Sequence, residues 1–230
     1  MSSSPSNFIL AALPQELRKS LLLRMEPVDL PVETVLLRPG EKPEFAHFMT
    51  SGITSVVTFM TDGIGAEVGL IGREGMVEAF HLLGPASSPT TAFLQVSGTA
   101  LRMPFADLQK EAFRLEPLLR CILEFVQRHN FTLNQLAACN GLHEIEERLA
   151  RWLLMVEDRV DSPRFQLTQE FLAEMLGTRR TSVTLAAGSL QRSGLIEYTR
   201  GRIHILDREK LQGAACECYP IVRELMQRAD

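Results

Sequence analysis

The segment Gln169–Gly188, QEFLAEMLGTRRTSVTLAAG, constrains the fold of this chain more than any other. Leu172, Ala173 and Leu176 share one face of a first predicted helix. Gly177 supplies a turn where a left-handed backbone is easiest without a Cβ. Val183, Ala186 and Leu190 then form the apolar stripe of a second helix. The polar face of that helix carries Arg179, Arg180, Thr181 and Thr184. Two helices packed through small residues, the second projecting arginines, form a device for entering the DNA major groove. Thr168 has the position and chemistry of an N-cap for the first helix. Beyond Gly194, Ile196–Thr199 and Arg202–Leu206 flank Arg200-Gly201 and read as a hairpin. Such a wing brings Arg200 and Arg202 to a phosphate backbone.

A net charge of −4 looks wrong for a DNA binder until it is resolved along the chain. Residues 163–205 hold six Arg and three Glu, a local net of +3, whereas residues 1–162 carry −6. Local field governs docking more than total charge. All six basic residues of the module are Arg, the side chain able to make bidentate contacts with guanine edges or phosphates.

Upstream, residues 28–104 change character. Glycines recur about every dozen residues, with β-rich runs between them: Thr34–Leu37, Phe45–Thr50, Thr54–Met60, Ala66–Ile71, Thr91–Val96 and Ala100–Met103. Ile53 to Met60 alternates at period two. This spacing predicts a compact all-β roll able to hold one small ligand. It is preceded by one or two short helices over 8–26, broken at Pro14, and followed by a short helix at 105–111. From Glu116 to Asn140 runs a long helix, ended by Gly141. In it Leu119, Ile122, Val126, His129, Leu133, Leu136 and Asn140 step by three and four. That spacing suits either a helix lying on the roll or the seam of a two-stranded parallel dimer, and its regularity favours the dimer. A further amphipathic helix covers His143 to Val160, with Ile145, Leu149, Trp152, Leu153 and Val156 inward, and the tail 207–230 reads as helical. The fold class is therefore α+β: a jelly-roll-like β-roll over 1–115, a dimerisation helix over 116–140 and a winged helix-turn-helix over 141–230.

The chemistry of the remaining residues excludes more than it assigns. No apolar run approaches the ~20 residues of a membrane span, and the N-terminus has no signal-peptide pattern. A cytoplasmic protein is expected. Cys121, Cys139, Cys216 and Cys218 show no CxxC zinc spacing, so free thiols and no metal site are expected. Cys216-Glu217-Cys218 is the pair most open to a redox reading, although nothing adjacent in sequence marks a lowered thiol pKa. The five histidines, His47, His81, His129, His143 and His204, are scattered without metal spacing, nucleophile elbow or phosphate loop, so no enzyme is expected.

Roll, long helix and winged helix-turn-helix, in that order, resemble the Crp–Fnr family of bacterial transcription regulators. FQLTQEFLAEMLGTRRTSV, SLQRSGLIEYTRGRIHI, EVGLIGREGMVEAF and HEIEERLARWLLM carry the resemblance. It implies a homodimer on a palindromic operator, with RNA polymerase as a further partner. It implies that Arg179, Arg180, Thr181 and Thr184 face bases, and that Arg192, Arg200 and Arg202 face phosphates. Thr181 and Leu185 stand where the best-known members carry Glu and a second Arg, so a different operator is expected. In the roll, Glu78 matches the family's ribose-binding Glu, but Thr90-Thr91 aligns with the phosphate-binding Arg-Ser pair. No Arg lies between Arg73 and Arg102, so cyclic AMP is not expected. No Cys precedes Cys121, which excludes an N-terminal iron–sulfur cluster. Heme on a lone His47 or His81 is not expected either. The alternative is an effector- or redox-sensing module whose helical domain binds a protein partner.

Overall fold

A computed structural model describes residues 7–227. Those residues form two compact units. The first takes the residues up to Val56 together with Gly69–Asn130, and the second takes Val57–Val68 and Phe131–Gln227. The division cuts through the long helix and assigns the far end of one β-hairpin to the second unit, so it does not follow the sequence boundaries at 115 and 140.

The first unit opens with α1 (Phe8–Ala11) and α2 (Gln15–Leu22), separated at Pro14 as the sequence implied. Buried Asn7 caps α1 through Leu10 N and donates its amide to the carbonyls of Met49 and Gly75, at 2.9 and 2.8 Å. Seven strands follow: β1 (Glu26–Leu30), β2 (Val35–Leu37), β3 (Phe45–Met49), β4 (Ile53–Phe59), β5 (Gly65–Ile71), β6 (Thr91–Val96) and β7 (Gly98–Pro104). They make two antiparallel sheets, β1-β7-β3 and β2-β6-β4-β5. The expected runs are all strands. The sequence reading missed β1, because Pro27 speaks against a strand. Pro27 is tolerated because β1 is an edge that pairs with β7 alone, leaving room for a residue without an N–H. The alternation read in β4 fades at its base, where Ile53, Thr54, Ser55 and Val57 are all buried. Ser55 is accommodated there by donating to Gln95 Oε1 at 2.5 Å.

After α3 (Phe105–Arg114), helix α4 runs from Glu116 to Leu142, so Gly141 lies in its last turn rather than breaking it. Within the first unit Leu118, Cys121, Ile122, Phe125 and Val126 join the core, and Leu119 packs against it. Buried His129 stacks on Phe125 (ring centroids 5.5 Å apart) and lies 5.7 Å from Phe80. Four of the seven expected seam residues, Leu119, Ile122, Val126 and His129, are thus packed within the chain itself. A helix laid on a sheet repeats every three or four residues as a dimer seam does, and periodicity cannot separate the two. Leu133 and Leu136 are half-buried. The outer face of α4 instead exposes Leu123, Gln127, Asn130, Phe131 and Asn134.

The second unit contains the end of α4, α5 (Ile145–Val160), β8 (Arg164–Gln166), α6 (Gln169–Met175), α7 (Arg180–Arg192), β9 (Ile196–Thr199) and β10 (Arg202–Ile205). The strands form one antiparallel sheet, β8-β10-β9. The tail is two helices, α8 (Arg208–Ala214) and α9 (Cys218–Met226), broken where Ala215 turns extended. Among the described residues, no helix is long and apolar enough to cross a membrane.

Candidate DNA-binding surface

The helix-turn-helix is built on α5. Glu144 and Glu147 close a capping box at its start, and Asp161 ends it with a left-handed backbone. Leu149, Trp152, Leu153 and Val156 are buried, as expected for its inner stripe. Arg148 is buried as well. Its guanidinium donates to the carbonyl of Leu176, the residue that ends α6. Burial, with the charge of Arg151 adding to it, pulls the Arg148 pKa down. Trp152 donates to Glu67 Oε1 at 2.8 Å, which fixes the far end of the β4–β5 hairpin within this unit.

Thr168 caps α6 by accepting from Phe171 N at 3.1 Å. Leu172, Ala173 and Leu176 are buried, Gly177 takes φ 57°, and Val183, Ala186 and Leu190 are buried on α7. Arg179 is the N-cap residue of α7 and Arg180 its first residue, so both leave the turn at the exposed end of the helix. Arg180 pairs with Glu170 at 2.6 Å, and Thr184 Oγ1 lies 2.8 Å from Gln169 Oε1 and 3.0 Å from the Arg180 carbonyl. Leu185 stands 74% exposed on this surface, an apolar side chain offered to solvent.

The hairpin β9–β10 turns through Arg200 and Gly201, both at positive φ (51° and 77°). That is the geometry of a two-residue type I′ turn. Tyr198 anchors the wing by donating to the Leu167 carbonyl at 2.8 Å. Burial first, and then the charge of Glu170, pushes its phenol up to about 12. A groove along the sheet is lined by Arg164, Glu197, Arg200, Arg202 and His204. Arg164 was not singled out from sequence, although its partner in the register is His204, two residues from Arg202. All eight residues expected to meet DNA are exposed in the second unit: Thr168, Arg179, Arg180, Thr181, Thr184, Arg192, Arg200 and Arg202.

The roll residues expected at a ligand site lie elsewhere, in the first unit. Glu78 is fully buried, with Oε1 2.7 Å from His47 Nδ1 and Oε2 accepting from His47 N at 2.8 Å. Thr90 Oγ1 lies 2.7 Å from Ser88 Oγ, and Thr91 begins β6. Both nitrogens of His81 are buried with no hydrogen-bond partner.

The cysteines depart furthest from the sequence reading. All four are free and buried, but Cys139 and Cys216 approach to 3.4 Å between their sulfurs. A hydrogen bond from the Cys139 thiol holds the Cys216 pKa well below the usual thiol range, and the same exchange raises that of Cys139. The sequence offered no mark of a lowered thiol because the partner lies 77 residues away.

Comparison with known proteins agrees with this geometry. Residues 147–214 match the family model of the Crp-like helix-turn-helix domain. A CRP-like cAMP-activated global transcriptional regulator of Mycobacterium tuberculosis is 25% identical over 206 residues, spanning 84% of this chain and 89% of that protein. Among solved structures, a putative Crp/Fnr regulator from Eubacterium rectale aligns with a TM-score of 0.70 at 17% identity, covering 88% of this chain and 94% of that one. The c-di-GMP responsive global regulator CLP of Xanthomonas campestris aligns equally well, at 16% identity over 84% of this chain and all of that one. A strand-rich unit followed in the chain by a winged helix-turn-helix with exposed arginines defines a DNA-binding transcription regulator. Residues 147–214 are a Crp-like helix-turn-helix domain, and the chain is similar over most of its length to regulators of the Crp–Fnr family. These relatives are regulators, not enzymes.

Proposed function

We propose that this protein works in the cytoplasm as a homodimer that places α7 of each protomer in successive major grooves of a palindromic operator. What supports this is the set of eight exposed side chains on one turn, one helix and one wing, all of them the Arg or Thr types that read bases and phosphates in such folds. Two recognition helices one helical turn apart, ~34 Å, require half-sites at that spacing. The dimer contact runs along the outer face of α4, where Leu123 and Phe131 are 41% and 49% exposed. Selection of bound DNA from a random pool, with purified protein and no added ligand, is expected to enrich a palindrome. Failure to enrich any sequence overturns the reading.

Regulation by cyclic AMP is not part of this proposal, although the Mycobacterium tuberculosis relative is named for it. Both oxygens of Glu78 are already bonded to His47, and no arginine lies between Arg73 and Arg102 to meet a buried phosphate. Calorimetric titration with cyclic AMP should show no binding at micromolar concentration. A saturable heat there would overturn this part alone.

A further inference from the structure

Four ligand-type atoms converge at the end of α4. Cys139 lies on the last turn of the helix and His143, four residues on, just past its end, where the His143 N–H still bonds the Cys139 carbonyl at 3.1 Å. Cys216 and Cys218 flank the break between α8 and α9. The extended Ala215 and the single intervening Glu217 turn both sulfurs back toward α4. The three sulfurs and one ring nitrogen all lie within 4.8 Å of one another, and the three cysteines are buried. All four residues belong to the second unit.

We propose that Cys139, His143, Cys216 and Cys218 form a mononuclear zinc site. With Zn–S of about 2.3 Å and Zn–N of about 2.05 Å, a tetrahedral centre sets sulfur–sulfur edges near ~3.8 Å and sulfur–nitrogen edges near ~3.6 Å. The observed edges are 3.4 Å for Cys139–Cys216 and 3.6 Å from Cys218 Sγ to His143 Nδ1. A disulfide needs about 2.05 Å between sulfurs, so the cluster is too open for a bond and has the spacing of ligands around one ion. Three thiolates and one imidazole complete the four-coordinate set of a closed structural site.

The surroundings fit the same chemistry. Gln135 donates its amide to Cys218 Sγ at 3.1 Å, and the backbone N–H of Cys218 donates to Cys216 Sγ. Ligation through Nδ1 leaves the other ring nitrogen of His143 facing Glu217, whose Oε1 lies 3.8 Å away. A carboxylate behind a metal-bound imidazole is a recurring outer-shell arrangement. Binding exchanges three thiol protons for one dication and leaves a net single negative charge. Buried Arg148 and Arg151, whose charges act on Cys139 and Cys216, offset it, and the Nε of each has no hydrogen-bond partner. The sequence carried the signal in two halves, Cys-x3-His and Cys-x-Cys. Neither half alone has the spacing of a familiar zinc motif.

The test uses the whole chain, purified under reducing conditions without chelator or metal-affinity resin, and elemental analysis. One zinc per chain is expected. After removal of zinc, titration with Co(II) should give intense tetrahedral ligand-field bands and thiolate-to-cobalt charge-transfer absorption, saturating at one equivalent. Cys218→Ser and His143→Ala should lose the stoichiometric metal, whereas Cys121→Ser, in the other unit, should retain it. Should the cluster variants fail to fold, the cobalt titration of the unaltered chain decides by itself. Protein that takes up neither zinc nor cobalt overturns the proposal. So does stoichiometric iron with sulfide, or a Cys139–Cys216 disulfide in protein that binds no metal.

Discussion

Arg180 and Thr184 are not idle in the free protein. Each is held by a residue of α6, Arg180 by Glu170 and Thr184 by Gln169. An exposed pair of this kind contributes at most about 1 kcal/mol, so it sets the resting rotamer without withholding the side chain from DNA. Arg180→Ala is expected to cost about 1–3 kcal/mol of affinity and to relax preference at one base position. Arg202→Ala should instead weaken all sequences alike and lower the salt slope by about one for each protomer. Fluorescence anisotropy on matched and scrambled operators across a salt series separates the two outcomes. A second residue-scale prediction concerns Tyr198 and Tyr219, the only two tyrosines in the chain. Burial pushes Tyr219, next to Asp158, up to about 12, as it does Tyr198. The ordinary phenol titrates near 10, so the unfolded chain loses these protons first. Their contribution to stability is complete below pH 10 and lost as pH rises to about 12. Alkaline absorbance titration of native protein should therefore show no tyrosine ionising near 10.

At the scale of elements, the buried link from Arg148 to the end of α6 is the least legible from sequence and the most testable. Ile145, Leu149, Trp152, Leu153 and Val156 marked the inner face of α5 by their apolarity, whereas Arg148 on the same buried side looked like a surface charge. Leu176 needs that guanidinium because its carbonyl is left without a helical donor as α6 ends. Arg148→Leu should cost about 1–3 kcal/mol by leaving the carbonyl unpaired, read as a fall of several degrees in melting temperature. The helix-turn-helix itself was readable almost to the residue, because Thr168, Gly177 and Gly194 punctuate it with local chemistry. The wing was readable for the same reason, in Arg200-Gly201. Strand β1 was not, since its stability comes from pairing with β7 about 70 residues away. Nor was the cysteine cluster, since Cys139 and Cys216 lie 77 residues apart and only the fold brings them together.

For the molecule as a whole, the ambiguity that mattered lay in α4. The sequence named a seam, and the structure buries most of it inside the chain. Ile122→Ala should thus act as a core deletion, costing about 2–5 kcal/mol of stability with no change in self-association. Leu123→Glu with Phe131→Glu should leave folding intact and weaken the proposed dimer at least tenfold, as loss of exposed apolar anchors does. Sedimentation equilibrium of both variants distinguishes a core helix from a seam helix. The approach of Cys139 to Cys216 has one more consequence. The chain leaves α4 and returns beside it after 77 residues, having built the whole reading head in between. A segment whose two ends meet can be excised or inserted as a cassette without stretching its host. Grafted into a surface loop of an unrelated protein, this stretch would need little linker, and new head sequences could be exchanged there without rebuilding the first unit.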